Sequence, residues 1–205
     1  MVQFRTNRAF DLAFVGALSA GLIGAYFNRV AVTDWWFFAT HQPSARAQSV
    51  ADAAGLSPTG RRLLYRGDPQ FADAATIDHV CDTERLGCLT EQGQVYVLDD
   101  PANPSQTIVT AAHEMLHLAY RRLSQSDQAG LATILNQAIN QLNQTSLSEE
   151  LSGQASETDR LDEAHSILGT EYTSLPADLE DYYRTYFSAR SRVVATETAA
   201  EAATP

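Results

Sequence analysis

Residues 110–120 read TAAHEMLHLAY, and this stretch decides how the rest of the 205-residue chain is interpreted. It contains the motif H-E-x-x-H, in which His113 and His117 flank Glu114 and two further residues. Residues four apart on an α-helix lie one turn above each other, so both imidazoles can bind a single metal ion. A carboxylate beside them can take a proton from a water at an open coordination position. The stretch therefore predicts one Zn²⁺ per chain and Glu114 as the catalytic base.

The residues around the motif are mostly apolar, and they predict that its helix is largely buried. These apolar residues are Ala111, Ala112, Met115, Leu116, Leu118 and Ala119. Buried polar side chains cost free energy unless they find partners, and a metal ion is one such partner. The alternative interpretation is a pair of hydrogen-bonded structural histidines. Asn103 and Pro104 supply a helix N-cap and a first-turn proline, so the helix is predicted over residues 104–123.

The remaining segments of the folded part predict a mostly helical α+β domain. An amphipathic stripe follows from near Ser126, and further helices are predicted over residues 158–168 and after Pro176. Residues 145–156 are polar and predict a loop. In the first half of the domain, residues 61–66 are strand-like, and residues 88–90 and 94–98 predict a hairpin around residues 91–93.

Two cysteines, Cys81 and Cys88, bracket six residues that include a glycine. This spacing can close a small disulfide loop, and a disulfide is the expected state in an exported domain. Two free thiols are the alternative if the chain stays in the cytosol. The disulfide prediction therefore depends on the topology of the N-terminal region.

The N-terminal region predicts a membrane anchor. Residues 12–27 read LAFVGALSAGLIGAYF without a charge, and Arg5 and Arg8 precede them. Residues 30–38 add apolar and aromatic side chains that can complete a span, and the basic flank favours a cytoplasmic N-terminus. The prediction is a single-pass cell-membrane protein with an extracytoplasmic catalytic domain. A cleaved signal peptide, which would give a secreted protein, and a buried core helix are the alternatives.

The predicted organisation has three parts: an anchor and linker over residues 1–48, a catalytic domain over residues 49–194 and a disordered tail over residues 195–205. The composition, 44% hydrophobic and 19% charged, is that of an ordinary globular domain. The formal net charge of −11 argues against a nucleic-acid partner, because binding phosphates needs a basic surface. It fits an acidic ectodomain.

Two histidines leave one protein ligand to be found. The metzincin pattern needs a histidine six residues after His117, but that position is Leu123, which excludes this class. Residues 162–166, DEAHS, resemble the N-E-A-x-S-D segment that carries the glutamate ligand in gluzincins, the thermolysin-like zinc peptidases. The resemblance implies that Glu163 is the third ligand. His165 and Glu171 remain the competing assignments.

The resemblance also implies a zincin-like fold, a peptide or protein substrate and a metalloendopeptidase activity. A peptide would lie along an edge strand above the metal helix, and Val95–Leu98 is the matching candidate. Two positions depart from the family pattern: Asp162 replaces its asparagine, and Ile167 stands where its histidine-orienting aspartate would be. One histidine therefore needs another partner. The second hypothesis is a non-catalytic zinc-binding module on the cell surface.

Overall fold

The computed structural model describes residues 29–81, 85–142 and 144–203. The chain divides into two units, residues 1–42 and 43–205. In the first unit the described element is helix α1 (Arg29–Thr40). The second unit contains, in chain order, α2 (Ala45–Ala53), α3 (Pro58–Arg66), β1 (Gln70–Ala72), α4 (Ala74–Val80), β2 (Gly87–Leu89), β3 (Val95–Leu98), α5 (Pro104–Arg121), α6 (Gln125–Leu142), α7 (Thr145–Ser152), α8 (Glu157–Thr170), α9 (Ala177–Tyr183) and α10 (Arg190–Ala203).

Helix α5 lies at the centre of the second unit. It begins where the sequence predicts, because Asn103 Oδ1 accepts a hydrogen bond from Gln106 N at 3.3 Å and Pro104 occupies the first turn. Most of its length is buried, and it packs against α3, α8, α10 and the sheet. Burial of this apolar surface is the main favourable contribution to folding. The mostly helical α+β architecture with a small sheet is confirmed.

The sheet has three strands in the order β1-β3-β2. Strand β1 is parallel to β3, and β2 is antiparallel to it. The predicted hairpin is confirmed as β2 and β3, with Val95 and Val97 buried on the side that faces the core. Because β1 pairs with the other side of β3, the candidate edge strand Val95–Leu98 is central, and that prediction is wrong. The strand at the edge beside α5 is β2.

A disulfide joins Cys81 to Cys88, as predicted. Cys81 follows helix α4, and Cys88 is the middle residue of β2. The bond therefore fastens the edge strand to the end of the preceding helix.

The segment predicted as strand-like, residues 61–66, belongs to helix α3. Ser57 Oγ accepts a hydrogen bond from Gly60 N at 3.1 Å, and Pro58 sits in the first turn. These two residues form a helix start. Capping therefore starts a helix in a segment whose arginines and leucines are good helix formers.

The folded unit begins before the predicted boundary at residue 49. Helix α2 starts at Ala45, inside the predicted linker, and Ser44 Oγ caps it by accepting from Ala47 N at 3.1 Å. Ala47 and Val50 are buried. A short polar sequence with small apolar residues thus contributes to the core, which composition alone does not indicate.

Two segments predicted to lack regular structure are helical. The predicted loop over residues 145–156 contains α7, which buries Leu147 and Leu151 one turn apart. The predicted disordered tail overlaps α10, in which Val193 and Ala200 are buried. Both helices carry few large apolar residues, so their signal in the sequence is weak, and packing against other elements decides their structure.

The prediction of a single-pass membrane protein is corrected. Within the described residues no helix has both the length and the apolar character needed to cross a membrane. Helix α1, which holds the aromatic cluster at residues 35–38, has 12 residues. At about 1.5 Å per residue it spans about 18 Å, short of a hydrocarbon core of about 30 Å. The apolar run at residues 12–27 lies outside the described residues.

Candidate metal centre

Three side chains predicted as metal ligands converge in the structure. His113 and His117, one turn apart on α5, point their Nε2 atoms at each other across 3.1 Å. Glu163 on α8 places Oε1 3.4 Å from His113 Nε2 and Oε2 3.6 Å from His117 Nε2. Among the described residues, these three form a group that can hold a metal ion. Their ligand atoms all lie within 4.8 Å of one another.

The packing of α5 against α8 creates this convergence. Glu163 is 45 residues or more from either histidine in the chain, so only the contact between the two helices places it there. Helix α8 is capped by Ser156, whose Oγ accepts a hydrogen bond from Asp159 N at 3.1 Å. Its buried side includes Leu161 and Ala164, which flank the carboxylate pair Asp162 and Glu163.

Asp162 supplies a partner for one of the two histidines, in place of the aspartate that Ile167 replaces. Its Oδ1 lies 2.8 Å from His117 Nδ1. A proton on Nδ1 donated to this carboxylate leaves the Nε2 lone pair directed at the metal position. Ile167, at the position where the family has its aspartate, is buried in the core. The sequence signal was present, since Asp162 directly precedes the predicted ligand, but only the helix packing shows its direction.

Glu114 is buried in the same site with only 6% of its surface exposed. No other described residue forms a hydrogen bond or ion pair with its carboxylate. Burial raises the pKa of Glu114, and the nearby His117 and His113 offset part of that increase. A carboxyl group of raised pKa beside a metal-ligand set is suited to taking up and returning a proton.

The electrostatics of the ligand set favour a cation between the three side chains. Burial lowers the pKa of His113, but the hydrogen bond to Glu163 and the charges of Glu114, Glu163 and Glu171 outweigh it and raise the pKa to about 9. Burial raises the pKa of Glu163, but the hydrogen bond and charge of His113, with His117, lower it overall. The metal-free site therefore holds a proton where a metal ion would place its charge.

The competing ligand His165 does not reach the metal position. It is fully buried, and its Nε2 lies 3.1 Å from the Tyr182 hydroxyl within a group of aromatic rings. The Tyr183 hydroxyl donates to the His165 backbone carbonyl at 2.6 Å. His165 is therefore part of the core beneath the site, and Tyr182 and Tyr183 are bonded to it there.

The other competing ligand, Glu171, lines the site without joining the ligand group. Burial raises the pKa of Glu171 to about 7, and the charges of Glu150, Glu197 and Glu163 add to the effect of burial, while His113 opposes it. Glu150 comes from α7 and Glu197 from α10, the two helices that the sequence analysis did not predict. Both were therefore missed as residues of the site.

The ligand group opens into a cleft of about 470 Å³ between β2 and the helices. The cleft is lined by Arg85, Leu86, Gly87, Cys88, Leu89, Gln106, Val109, Thr110, His113, Glu114, His117, Arg121, Glu150, Gln154, Asp159, Asp162, Glu163, Glu171 and Glu197. A metal ion held by the three ligands would thus face a cavity large enough for part of an extended peptide. The fold and the site together define a mostly helical α+β protein with a candidate metal centre. No family model, curated protein or solved structure matches this chain.

Proposed function

We propose that this chain is a zinc-dependent metallopeptidase with a zincin-like fold of the gluzincin type. His113, His117 and Glu163 bind one Zn²⁺, and Glu114 is the general base in hydrolysis of a peptide bond. The observation that carries the proposal is the arrangement of two imidazoles and a carboxylate around one point, with an additional buried carboxylate beside them. These residue types and roles are those of catalytic zinc sites.

The ligand spacing fits zinc. A tetrahedral Zn²⁺ site with N and O ligands at about 2.0–2.2 Å places neighbouring ligand atoms roughly 3.3 Å apart. The shortest distances between the three side chains here are of this size: 3.1 Å between the two Nε2 atoms, 3.4 Å from His113 Nε2 to Glu163 Oε1 and 3.6 Å from His117 Nε2 to Glu163 Oε2. With one ligand atom taken from each residue, all three atoms lie within 4.8 Å of one another. The orientation of His117 by Asp162 follows the pattern in which a carboxylate fixes the tautomer of a zinc-binding histidine.

When bound, zinc supplies a positive charge that acidifies water and polarises a carbonyl group. Glu114 removes a proton from the attacking water as the new C–O bond forms. It then delivers that proton to the amine nitrogen as the C–N bond breaks, so the carboxylate is regenerated. Only 6% of the Glu114 surface is exposed, and the residue lines the cleft.

A non-catalytic zinc-binding module is the alternative, and the site argues against it. Structural zinc sites are closed by four protein ligands, whereas the described residues provide three here and leave one position facing the cleft. A structural site also has no use for Glu114. Burying an unpartnered carboxylate costs free energy, and the proposed catalytic role accounts for it.

Glu114→Gln tests the proposal. The variant is expected to keep one zinc per chain and to lose hydrolysis of a quenched-fluorescent peptide library by at least about 10²-fold, because the amide cannot accept the proton. Zinc is measured by elemental analysis and cleavage by fluorescence. Glu91→Gln, the same change at an exposed position in the hairpin turn, is the matched control and keeps both properties.

Two results would contradict the proposal in different ways. Full activity in Glu114→Gln removes Glu114 from the role of base. A wild-type protein that holds one zinc per chain and cleaves no member of the library supports the non-catalytic module instead.

A further inference from the structure

Attack on a peptide carbonyl places negative charge on the carbonyl oxygen, and a preorganised positive group at that point lowers the barrier. His165, Tyr182 and Tyr183 lie beneath the site and do not line the cleft. Within the described part of the chain, the cations that line it are Arg85 and Arg121. A role for one of these arginines in the reaction rests on the proposed function.

Arg121 is committed to structural contacts. Its Nε lies 3.7 Å from Asp162 Oδ2, and its Nη1 donates to the carbonyls of Leu89 and Thr90 at 3.4 Å each. Asp162 in turn orients His117. Arg121 therefore supports the candidate ligand shell and the edge strand.

Arg85 differs from Arg121 in its surroundings. Its side chain is exposed, and it makes no hydrogen bond or ion pair with another described residue. The backbone that follows it is fixed, because Leu98 N donates to Leu86 O at 2.7 Å and Cys88 is bonded to Cys81. The cationic side chain of Arg85 thus lines the cleft next to a fixed backbone. Its N–H donors make no hydrogen bond to another described residue.

Gly87 brings this backbone next to the proposed base. A Cβ atom added to Gly87 would lie 2.6 Å from Thr110 Cγ2 and 3.5 Å from Glu114 Cγ, so β2 passes in direct contact with α5. Arg85 precedes this contact by two residues. Arg85 lines the same cleft as Glu114 and Glu163.

We infer that Arg85 is a catalytic residue that stabilises the negative charge on the carbonyl oxygen of the peptide bond under attack. As water adds to the carbonyl carbon, the C=O π electrons move onto the oxygen, and Glu114 takes the proton. Arg85 pairs with that oxygen through its N–H groups and exchanges no proton, because a guanidinium stays protonated. When the oxyanion collapses, the C–N bond breaks, and Glu114 returns the proton to the nitrogen.

The test uses the zinc-loaded protein and the best substrate from the peptide library. Arg85→Gln is expected to lower kcat by about 10²–10³-fold with little change in KM, as for loss of a single oxyanion donor. Arg85→Lys, which restores the charge without the planar fork, recovers part of the loss. Arg184→Gln, at an exposed arginine outside the cleft, is the matched control. Zinc content stays at one per chain in all three variants.

A phosphonamidate analogue of the same peptide gives a second measurement, because its tetrahedral anionic group resembles the transition state. Its affinity should fall in Arg85→Gln by the same factor as kcat/KM. Wild-type turnover in Arg85→Gln overturns the inference and leaves the proposed function intact. A loss confined to KM and to peptides with a free C-terminal carboxylate also overturns it, because Arg85 then binds that carboxylate. A zinc-loaded wild-type protein without any cleavage overturns the proposed function itself.

Discussion

The third ligand can be tested with single residues, because two carboxylates of the cleft differ in their contact with the histidines. Glu163 lies within 3.6 Å of both Nε2 atoms, whereas Glu171 lies outside the ligand group. Glu163→Ala should therefore lose zinc during brief dialysis against a mild chelator, and Glu171→Ala should retain about one zinc per chain. Elemental analysis measures the zinc content per chain of both variants. Loss of zinc in Glu171→Ala alone would transfer the ligand assignment to that residue.

Asp162 contacts the candidate ligand His117 and lies outside the ligand group, so its effect on zinc binding should be smaller. Asp162→Ala removes the acceptor for His117 Nδ1, and the zinc affinity is expected to fall by about 10–100-fold. Asp162→Asn keeps an acceptor oxygen and should lose less. Competition with a chromophoric chelator measures the affinities. An unchanged affinity in Asp162→Ala would show that the carboxylate has no part in orienting His117.

At the scale of elements, the site depends on how closely strand β2 approaches helix α5. Gly87→Ala would place a Cβ 2.6 Å from both Thr110 Cγ2 and Tyr96 O, so strand or helix must move. The expected loss in the free energy of unfolding is about 1–3 kcal/mol, typical of overpacking, with a loss of activity as the cleft changes shape. Denaturant unfolding and the peptide assay measure the two effects.

Gly130→Ala is the control for this prediction. Gly130 lies in helix α6, and no atom is within 4 Å of the added Cβ. Alanine favours a helix over glycine by up to about 1 kcal/mol, so this variant should be slightly more stable and equally active. If Gly87→Ala is as stable and as active as Gly130→Ala, the contact between β2 and α5 leaves room for a Cβ atom and the prediction is wrong.

The whole molecule should couple zinc binding to pH. The pKa of His113 in the metal-free protein is about 9, because Glu163, Glu114 and Glu171 outweigh the effect of burial. His113 is thus protonated at pH 7, and zinc, which needs a neutral imidazole, must displace that proton. We expect release of about one proton per zinc and an affinity that rises with pH up to about 9. Calorimetry in buffers of different ionisation enthalpy measures the release, and a buffer-independent enthalpy would contradict it.

The raised pKa of His113 makes the free energy of unfolding change with pH in opposite directions for the metal-free and the zinc-bound protein. A histidine whose pKa is raised on folding stabilises the metal-free protein below its unfolded value of 6.5, and this contribution is lost as the pH rises through about 9. Zinc binding grows stronger over the same interval and stabilises only the folded state. Thermal unfolding between pH 6 and 9, with zinc and with a chelator, provides the comparison.

Local sequence signals were sufficient for the elements whose patterns are strong. The cap at Asn103 and Pro104 set the start of α5, and the i, i+4 spacing placed His113 and His117 on one face of it. The hairpin and the disulfide also followed from residue types and spacing. These features depend on contacts a few residues apart, which propensity and capping control directly.

The tertiary structure decided how segments far apart in the sequence come together. It made β2 rather than β3 the edge strand, because β1 occupies the far side of β3. It places Asp162 in contact with His117. It also places Arg85 and Glu114 in the lining of one cleft, to which helices α7 and α10 contribute as well. The sequence by itself determined which helix carries the candidate ligands His113 and His117 and the proposed base, since that depends on local periodicity, and the resemblance of residues 162–166 pointed to Glu163. The convergence of Glu163 with the two histidines, the contact of Asp162 with His117 and the shape of the cleft required the packing of helices far apart in the chain, which no local pattern encodes.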